Sequence, residues 1–414
     1  MAEEHARIPK SLTSFQGAFP MERRRVKINT LNGTSFSAGQ NIRLRFPDRA
    51  LLDMSTFNIN FNATTTGTDS VLTPVSYALI KSIHFQVGGV ILGAQNNYQN
   101  QTTHAINLAS RAIEYDKSNL MTRGYNNVPA STDVDASAPC IMNWFPYTLA
   151  GAGVLDTAVF PELECDIRLE GNGCLDVLTT LDGTYSIADV VAYVDILLPH
   201  SEAYMKTMAS RLASGSSVRK SIPTIVSFNQ VQNGSNSVNC ASNSLDAVLV
   251  GVKTTGWQNQ AQKGAFAYNN FLSYRLANTN ANQVMHLQLA NGQQYPAYAN
   301  PENSFEHAEM SRNWAGKTSA YNYNKLFYNS TALNTDVYAK NNYLSRNFVW
   351  FAQLGGEGDA SDNHGLHTGL NTMGGSNIIR VNSTNLAATD ELLVACLCSS
   401  ILEAKAGGQV AFIQ

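Results

Sequence analysis

Four landmarks in the second half of this 414-residue chain repeat landmarks of the first half, in the same order and at a spacing of about 200 residues. Gln86-Val-Gly-Gly89, a stretch rich in Asn, Gln and Tyr, and then His104-Ala105 are echoed by Gln288-Leu-Ala-Asn-Gly292, a similar stretch and His307-Ala308. Upstream, Leu52-Asp-Met-Ser-Thr-Phe-Asn-Ile59 answers to Leu245-Asp-Ala-Val-Leu-Val-Gly-Val252. Downstream, Asp166-Ile-Arg-Leu169 answers to Asn377-Ile-Ile-Arg-Val381, and Val191-Ala-Tyr-Val-Asp-Ile-Leu-Leu198 to Val394-Ala-Cys-Leu-Cys-Ser-Ser-Ile401. Any one of these could arise by chance between β-rich sequences, whereas four in chain order predict a duplicated unit. The length agrees, since it suits two domains of roughly 200 residues better than one.

Each unit reads as β structure. Ile42, Leu44 and Phe46 alternate with polar neighbours, as do the residues of Phe57-Asn-Ile-Asn-Phe61. Such alternation marks strands with one buried face. The run Ala78-Leu-Ile-Lys-Ser-Ile-His-Phe-Gln-Val87 ends in Gly88-Gly89 before Val90-Ile-Leu92, which predicts a tight hairpin. Helical patterns are few: residues 102–115, a shorter candidate at 302–310, and residues 201–212, which lead into Ser214-Gly-Ser-Ser217 and resemble a link between halves. Residues 315–346 are rich in Asn, Tyr, Ser and Thr with weak periodicity and read as a long loop excursion. Alternating strands separated by long excursions suit an antiparallel Greek-key sandwich, with eight strands as the jelly-roll expectation.

Charged residues make up only 14% of the chain, well below the usual quarter. Neutral Asn, Ser, Thr, Gln and Gly take their place, a composition suited to large surfaces that pack against copies of themselves. A net charge of −3 gives no overall attraction to phosphate backbones. The one concentrated basic run, Arg23, Arg24, Arg25 and Lys27, could be an arm meeting an anionic surface of lipid or nucleic acid, or a charged strand edge. The N-terminus lacks the apolar core of a secretory signal, and no run reaches the ~18 apolar residues of a membrane span.

Chemical constellations are weak. Glu162, Glu164 and Asp166 fall at period two, so one strand face would carry three carboxylates, a possible cation site or simply a solvated face. Asp362, His364 and His367 share a Gly-rich loop that could hold a transition metal but more commonly is only polar. The six cysteines show no paired CxxC spacing, and Cys396 and Cys398 should share one buried face, in keeping with synthesis in a reducing compartment. Trp257, Trp314 and Trp350 could stack on sugars or bases, though core and interface are the usual homes for tryptophan. No P-loop, GxSxG, HExxH or paired CxxC occurs, so no enzyme activity, cofactor or metal is expected.

On Ile80-Lys-Ser-Ile-His-Phe-Gln-Val-Gly-Gly89, on Val159-Phe-Pro-Glu-Leu-Glu-Cys-Asp-Ile-Arg-Leu169 and on the block from Phe348 to the C-terminus, the chain resembles the double jelly-roll major capsid proteins. These belong to the adenovirus-hexon and tectivirus lineage, and the likeness is greatest to those of polinton-like and related small eukaryotic DNA viruses. It covers nearly the whole chain and departs at residues 315–346. The resemblance implies an all-β fold of two tandem jelly-roll sandwiches. Residues 1–24 would be an N-terminal arm, 25–198 the first jelly roll, 199–219 a helical linker and 220–414 the second jelly roll. It further implies a virion protein, assembled inside the host cell, whose pseudo-hexameric homotrimers tile an icosahedral shell. Neighbouring capsomers, penton and minor capsid proteins would be its partners, and Arg23, Arg24, Arg25 and Lys27 would face the interior, toward an internal membrane or the genome. A β-sandwich glycan-binding or spike module, and then a β-sandwich glycoside hydrolase, are the alternatives.

Overall fold

The computed structural model describes residues 21–67, 70–72, 76–109, 137–177, 182–199, 203–253, 284–295, 349–354, 369–374, 377–384, 386, 390–405 and 409–414. Eight principal strands build the first half: β1 (Met21–Asn29), β2 (Asn41–Arg45), β3 (Leu51–Thr65), β4 (Ile80–Val87), β5 (Val90–Leu92), β6 (Ser137–Met142), β7 (Glu164–Leu169) and β8 (Tyr185–Pro199). Helix α1 (Gln99–Ala109) lies between β5 and β6, and helix α2 (Ala203–Ala213) follows β8. The second half repeats the series as β9 (Val218–Val231), β10 (Ser235–Asn239), β11 (Leu245–Lys253), β12 (Val284–Leu289), β13 (Gln294–Tyr295), β14 (Val349–Gln353), β15 (Ile378–Thr384) and β16 (Glu391–Ala404). A closing strand, β17 (Val410–Ile413), pairs with β16.

The sheet orders decide the topology. The first half forms β1-β8-β3-β6 and β2-β7-β4-β5, and the second forms β9-β16-β11-β14 and β10-β15-β12-β13, all antiparallel. Strand n of the second half therefore occupies the place of strand n minus eight of the first. Pairing first with eighth, second with seventh, third with sixth and fourth with fifth is what results when one long hairpin ribbon wraps around a core, which is the jelly roll. The four sequence echoes fall on topologically equivalent elements: β3 and β11, the β4–β5 and β12–β13 turns, β7 and β15, and β8 and β16.

Local chemistry makes the turns. Val87 pairs with Val90 across Gly88 and Gly89, both at positive φ (54° and 83°), the type I′ geometry that glycine permits and that matches strand twist. In the second half the turn gains one residue, and Gly292 at φ 84° takes the left-handed position of the longer loop.

The first core joins the inward rows of the two sheets, among them Ile42, Leu44, Ile59, Phe61, Ile83, Ile167, Ala192 and Val194. Phe57 sits at its centre, 5.4 Å from Phe46, 6.0 Å from Phe85 and 5.0 Å from Phe145 between ring centroids. The second core holds Val226, Val248, Val250, Trp350, Ile379, Val381, Val394 and Cys396. Here the sequence alignment needs a correction of one residue. Pairing Val191 with Val394 would set Ala192 against Ala395, yet Ala192 faces the first core while Ala395 faces out of the second sandwich. The inward Ala192 and Val194 correspond instead to Val394 and Cys396. Side chains alternate faces along a strand, so a slip of one position exchanges inside for outside. β8 carries a register shift against β3 just before this segment, where the three steps from Ala188 to Val191 span only two steps of β3, from Asn62 to Asn60, and the inward face of β8 moves by one position.

The expected helix at 102–115 begins earlier, at Gln99, and is described only to Ala109. The candidates at 302–310 and 315–346 lie outside the described residues. No helix among the described residues is long and apolar enough to cross a membrane.

Candidate assembly surfaces and the seam between sandwiches

The basic run belongs to a strand. Arg23, Arg24, Arg25 and Lys27 all lie in β1, paired residue for residue with β8 from Met21↔Pro199 to Asn29↔Val191. Arg23 and Arg24, expected on an arm ending at residue 24, are thus sheet residues, because each backbone group there has a ladder partner to take up. Their charge is also largely answered. The Arg23 guanidinium donates to Asp53 Oδ2 at 2.7 Å and lies 3.6 Å from Asp195, Arg25 donates to Asp195 Oδ1 at 2.9 Å, and Arg24 donates to Glu22 at 2.7 Å. Asp53 and Asp195 are buried and face each other across β3 and β8, so the arginines act as their counterions. Replacing Arg23 and Arg25 together by Ala should cost about 1–3 kcal/mol, measured by denaturant unfolding, because two buried carboxylates lose charge-assisted hydrogen bonds. A change below about 0.5 kcal/mol would mean that solvent already satisfies them.

The carboxylate trio does not form. Glu162 precedes β7 and adopts φ 53°, while Glu164 and Asp166 stand on β7 opposite Arg45 and Arg43, with Asp166 3.6 Å from the Arg43 guanidinium. Among the described residues no group of three or more His, Cys, Asp or Glu is placed to hold a metal. Asp362, His364 and His367 lie outside the described residues, as do Trp257 and Trp314, and Trp350 is a core residue. Cys396 and Cys398 are buried as expected. Cysteine spacing did not point to their neighbour Cys240, whose Sγ lies 3.7 Å from that of Cys398. The hydrogen bond with the Cys240 thiol, and then burial, push the Cys398 thiol well above its usual range.

The most developed polar arrangement lies between the sandwiches. β11 and β16 are buried on both faces: Val248, Val250, Val394 and Cys396 point into the second core, whereas Ala247, Leu249, Leu393, Ala395 and Leu397 point outward. That outward face is covered by Ala105 and Ile106 of α1, which comes from the first sandwich. The unbroken apolar runs of β11 and β16 carried this signal in the sequence, since a strand covered on both sides loses its polar alternation. Sequence reading missed the other half of the seam, the polar first turns of α1. Gln99, Asn100, Gln101, Thr102, Thr103 and His104 are all buried.

Their hydrogen bonds explain how they can be. Asn100 Nδ2 donates to the Ala78 carbonyl at 3.2 Å and to Glu170 Oε2 at 3.0 Å, Gln99 donates to Thr103 Oγ1 at 3.1 Å, and Ser227 of β9 donates to Asn96 Oδ1 at 2.9 Å. Tyr77 and His104 Nδ1 are 2.9 Å apart. Burial pushes His104 down to about 3, with the Lys253 ammonium adding to the effect, and pushes Lys253 itself down to about 7 against the pull of Glu391 and Glu170. Within this buried network the Ser227–Asn96 bond crosses from the second half to the first and restricts how the two packed bodies sit. Further along the seam Ile222, Leu402 and Ala404 of the second half join the first core.

No protein-family model matches the chain, and no curated protein matches it significantly in sequence. Solved structures do. The quasi-atomic PBCV-1 virus capsid is similar at a TM-score of 0.57 and 12% identity over 96% of this chain and 97% of that one. The Faustovirus major capsid protein is similar at 0.55 and 8% identity, covering 94% and 91%. The chain shares its double jelly-roll fold with these structures. The Sputnik virophage structure gives 0.52 and 12% identity over 95% and 88%. At such identities the double jelly roll is shared as a fold, with both sandwiches and their order included, while almost every side chain differs.

Proposed function

We propose that this double jelly roll is the major capsid subunit of a virus, a structural protein that assembles as a homotrimer into an icosahedral shell and resides in the virion. The observation that carries the reading is the double wrapping itself: two sandwiches of identical sheet order, locked together by α1. Three such chains set six similar sandwiches around one axis, so that a threefold particle tiles as a hexagon. Penton and minor capsid proteins would complete the shell. The pairing of Arg23, Arg24 and Arg25 with carboxylates leaves β1 a poor contact for genome or membrane, so we assign it a sheet role.

Light scattering after size-exclusion chromatography, with negative-stain microscopy, tests the reading. The expected species has about three times the 45.0 kDa chain mass and a pseudo-hexagonal outline. A monomer that never forms trimers or shells at any concentration would overturn it.

A further inference from the structure

Equivalent places in the two sandwiches are filled differently at one end of the core. In the first sandwich the Phe46 N–H donates to the Leu163 carbonyl at 3.0 Å, just ahead of β7. In the second the Cys240 N–H donates to the Asn377 carbonyl at 2.9 Å, just ahead of β15, so Cys240 stands where Phe46 does. Leu52 pairs with Ile196 as Leu245 pairs with Cys398, so Cys398 stands where Ile196 does. A phenylalanine and an isoleucine on facing sheets thus give way to two thiols whose sulfurs are 3.7 Å apart. The place is at the rim of the second core. Cys240 and Ser242 are buried, but Ala241 and Asn243 beside them are exposed. Thr372, which donates to the Cys240 carbonyl at 2.6 Å, lies next to the exposed Met373.

We propose that Cys240 and Cys398 are an oxidation site, a pair that closes to a disulfide when the protein meets hydrogen peroxide and so fastens the two sheets of the second sandwich to each other. The inference does not depend on the capsid reading. The sulfurs have to approach by only about 1.7 Å to reach the ~2.0 Å of a disulfide. In the first step one sulfur attacks a peroxide oxygen, the O–O bond breaks, and a sulfenic acid and one water form. In the second the other sulfur attacks the sulfenic sulfur, the S–O bond breaks, and a second water leaves. Two thiols and one peroxide thus give one disulfide and two waters, the sulfurs losing the two electrons that the peroxide oxygens gain. A peroxide is small enough to enter beside Ala241. The reaction is slow compared with that of free cysteine, because the Cys396 thiol raises Cys240 as the Cys240 thiol raises Cys398, burial adds to both, and the reactive thiolate is scarce. Its effect is large, because the link spans 158 residues of sequence and takes much freedom from the unfolded chain. A reducing cell keeps such a pair open, so the link belongs to an oxidising medium.

The test is incubation of the purified full chain with hydrogen peroxide, followed by a count of free thiols after denaturation, mapping of unreduced peptides and thermal melting. The count should fall by two from six, with one crosslinked peptide pair joining Cys240 to Cys398. The melting temperature should rise by roughly 5 °C or more and return when dithiothreitol is added. Cys240→Ala should lose both the link and the peroxide-dependent rise, while Cys396→Ala should keep both. The peptide map of the wild-type chain stands even if a variant fails to fold. Four results would overturn the inference: six thiols surviving peroxide that fully oxidises free cysteine, oxidation that ends in sulfinic acid without a crosslink, a link from Cys240 to Cys396, or closure with no gain in melting temperature.

Discussion

A glutamate in place of Ala395 should be the most damaging single change in the seam, removing several kcal/mol of stability or preventing soluble expression. Ala395 is fully buried, pairs with Leu249, and faces Ala105 and Ile106 of α1 together with Leu393 and Leu397. A carboxylate there would be desolvated without a partner, at a cost of order several kcal/mol. Against a total stability of about 5–15 kcal/mol for a domain, that is enough to separate the sandwiches. Ala395→Val adds only methyl groups to a packed site and should cost about 1–3 kcal/mol. Denaturant titration of both variants checks the ranking. A glutamate variant within 1 kcal/mol of wild type would show that α1 lifts from the sheet at little cost.

The prediction at Ala395 also marks where sequence reading reached its limit. Element identity was legible because it depends on patterns several residues long: alternation, glycine pairs at hairpins, and landmarks repeated in order. Register was not, because it depends on bulges. The shift between Ala188 and Val191 in β8 moves a face by one position without changing the composition of the strand. Read without it, Ala395 looks like a core position equivalent to Ala192.

The basic run was ambiguous for a different reason. Arg23, Arg24 and Arg25 look like an arm because no apolar alternation is visible around them, yet the strand is held by ladder pairing and by Asp53 and Asp195, which lie far away in sequence. Charge patterning along a chain shows how many cations there are and leaves their partners unspecified. Cys240 and Cys398 pose the same problem, since their contact joins β16 to the residue after β10. The buried polar turns of α1 were the least legible of all. Gln99 to His104 reads as a solvated helix face, and only a second body packed over it makes the face internal.

That buried face gives the protein a pH dependence with a definite sign. His104 is held down to about 3, first by burial and then by Lys253, whereas an unfolded chain binds a proton on histidine near its ordinary 6.5. Between those limits the unfolded state holds more protons, so stability is fully present above pH 6.5 and is lost as pH falls toward 3. Each unit within the window can lower the folding constant by up to about tenfold. Lys253, pushed down to about 7, acts in the same direction at higher pH: its contribution is present above about 10.5 and lost as pH falls to 7. The local chemistry agrees. In the neutral ring Nδ1 can accept the Tyr77 hydroxyl proton, which the imidazolium cannot do, and protonation would set a second cation beside Lys253 in a buried seam. His104→Gln keeps a polar group of similar reach without titrating. Its unfolding free energy should decline less steeply than that of wild type from pH 6.5 to 5, a residual slope remaining because burial also lowers His84 and His286, and below pH 5 both should fall together as carboxylates protonate. Equal slopes in the two proteins between pH 6.5 and 5 would mean that water reaches the ring, and that α1 covers its end of the seam more loosely than the buried Asn100, Thr103 and His104 imply.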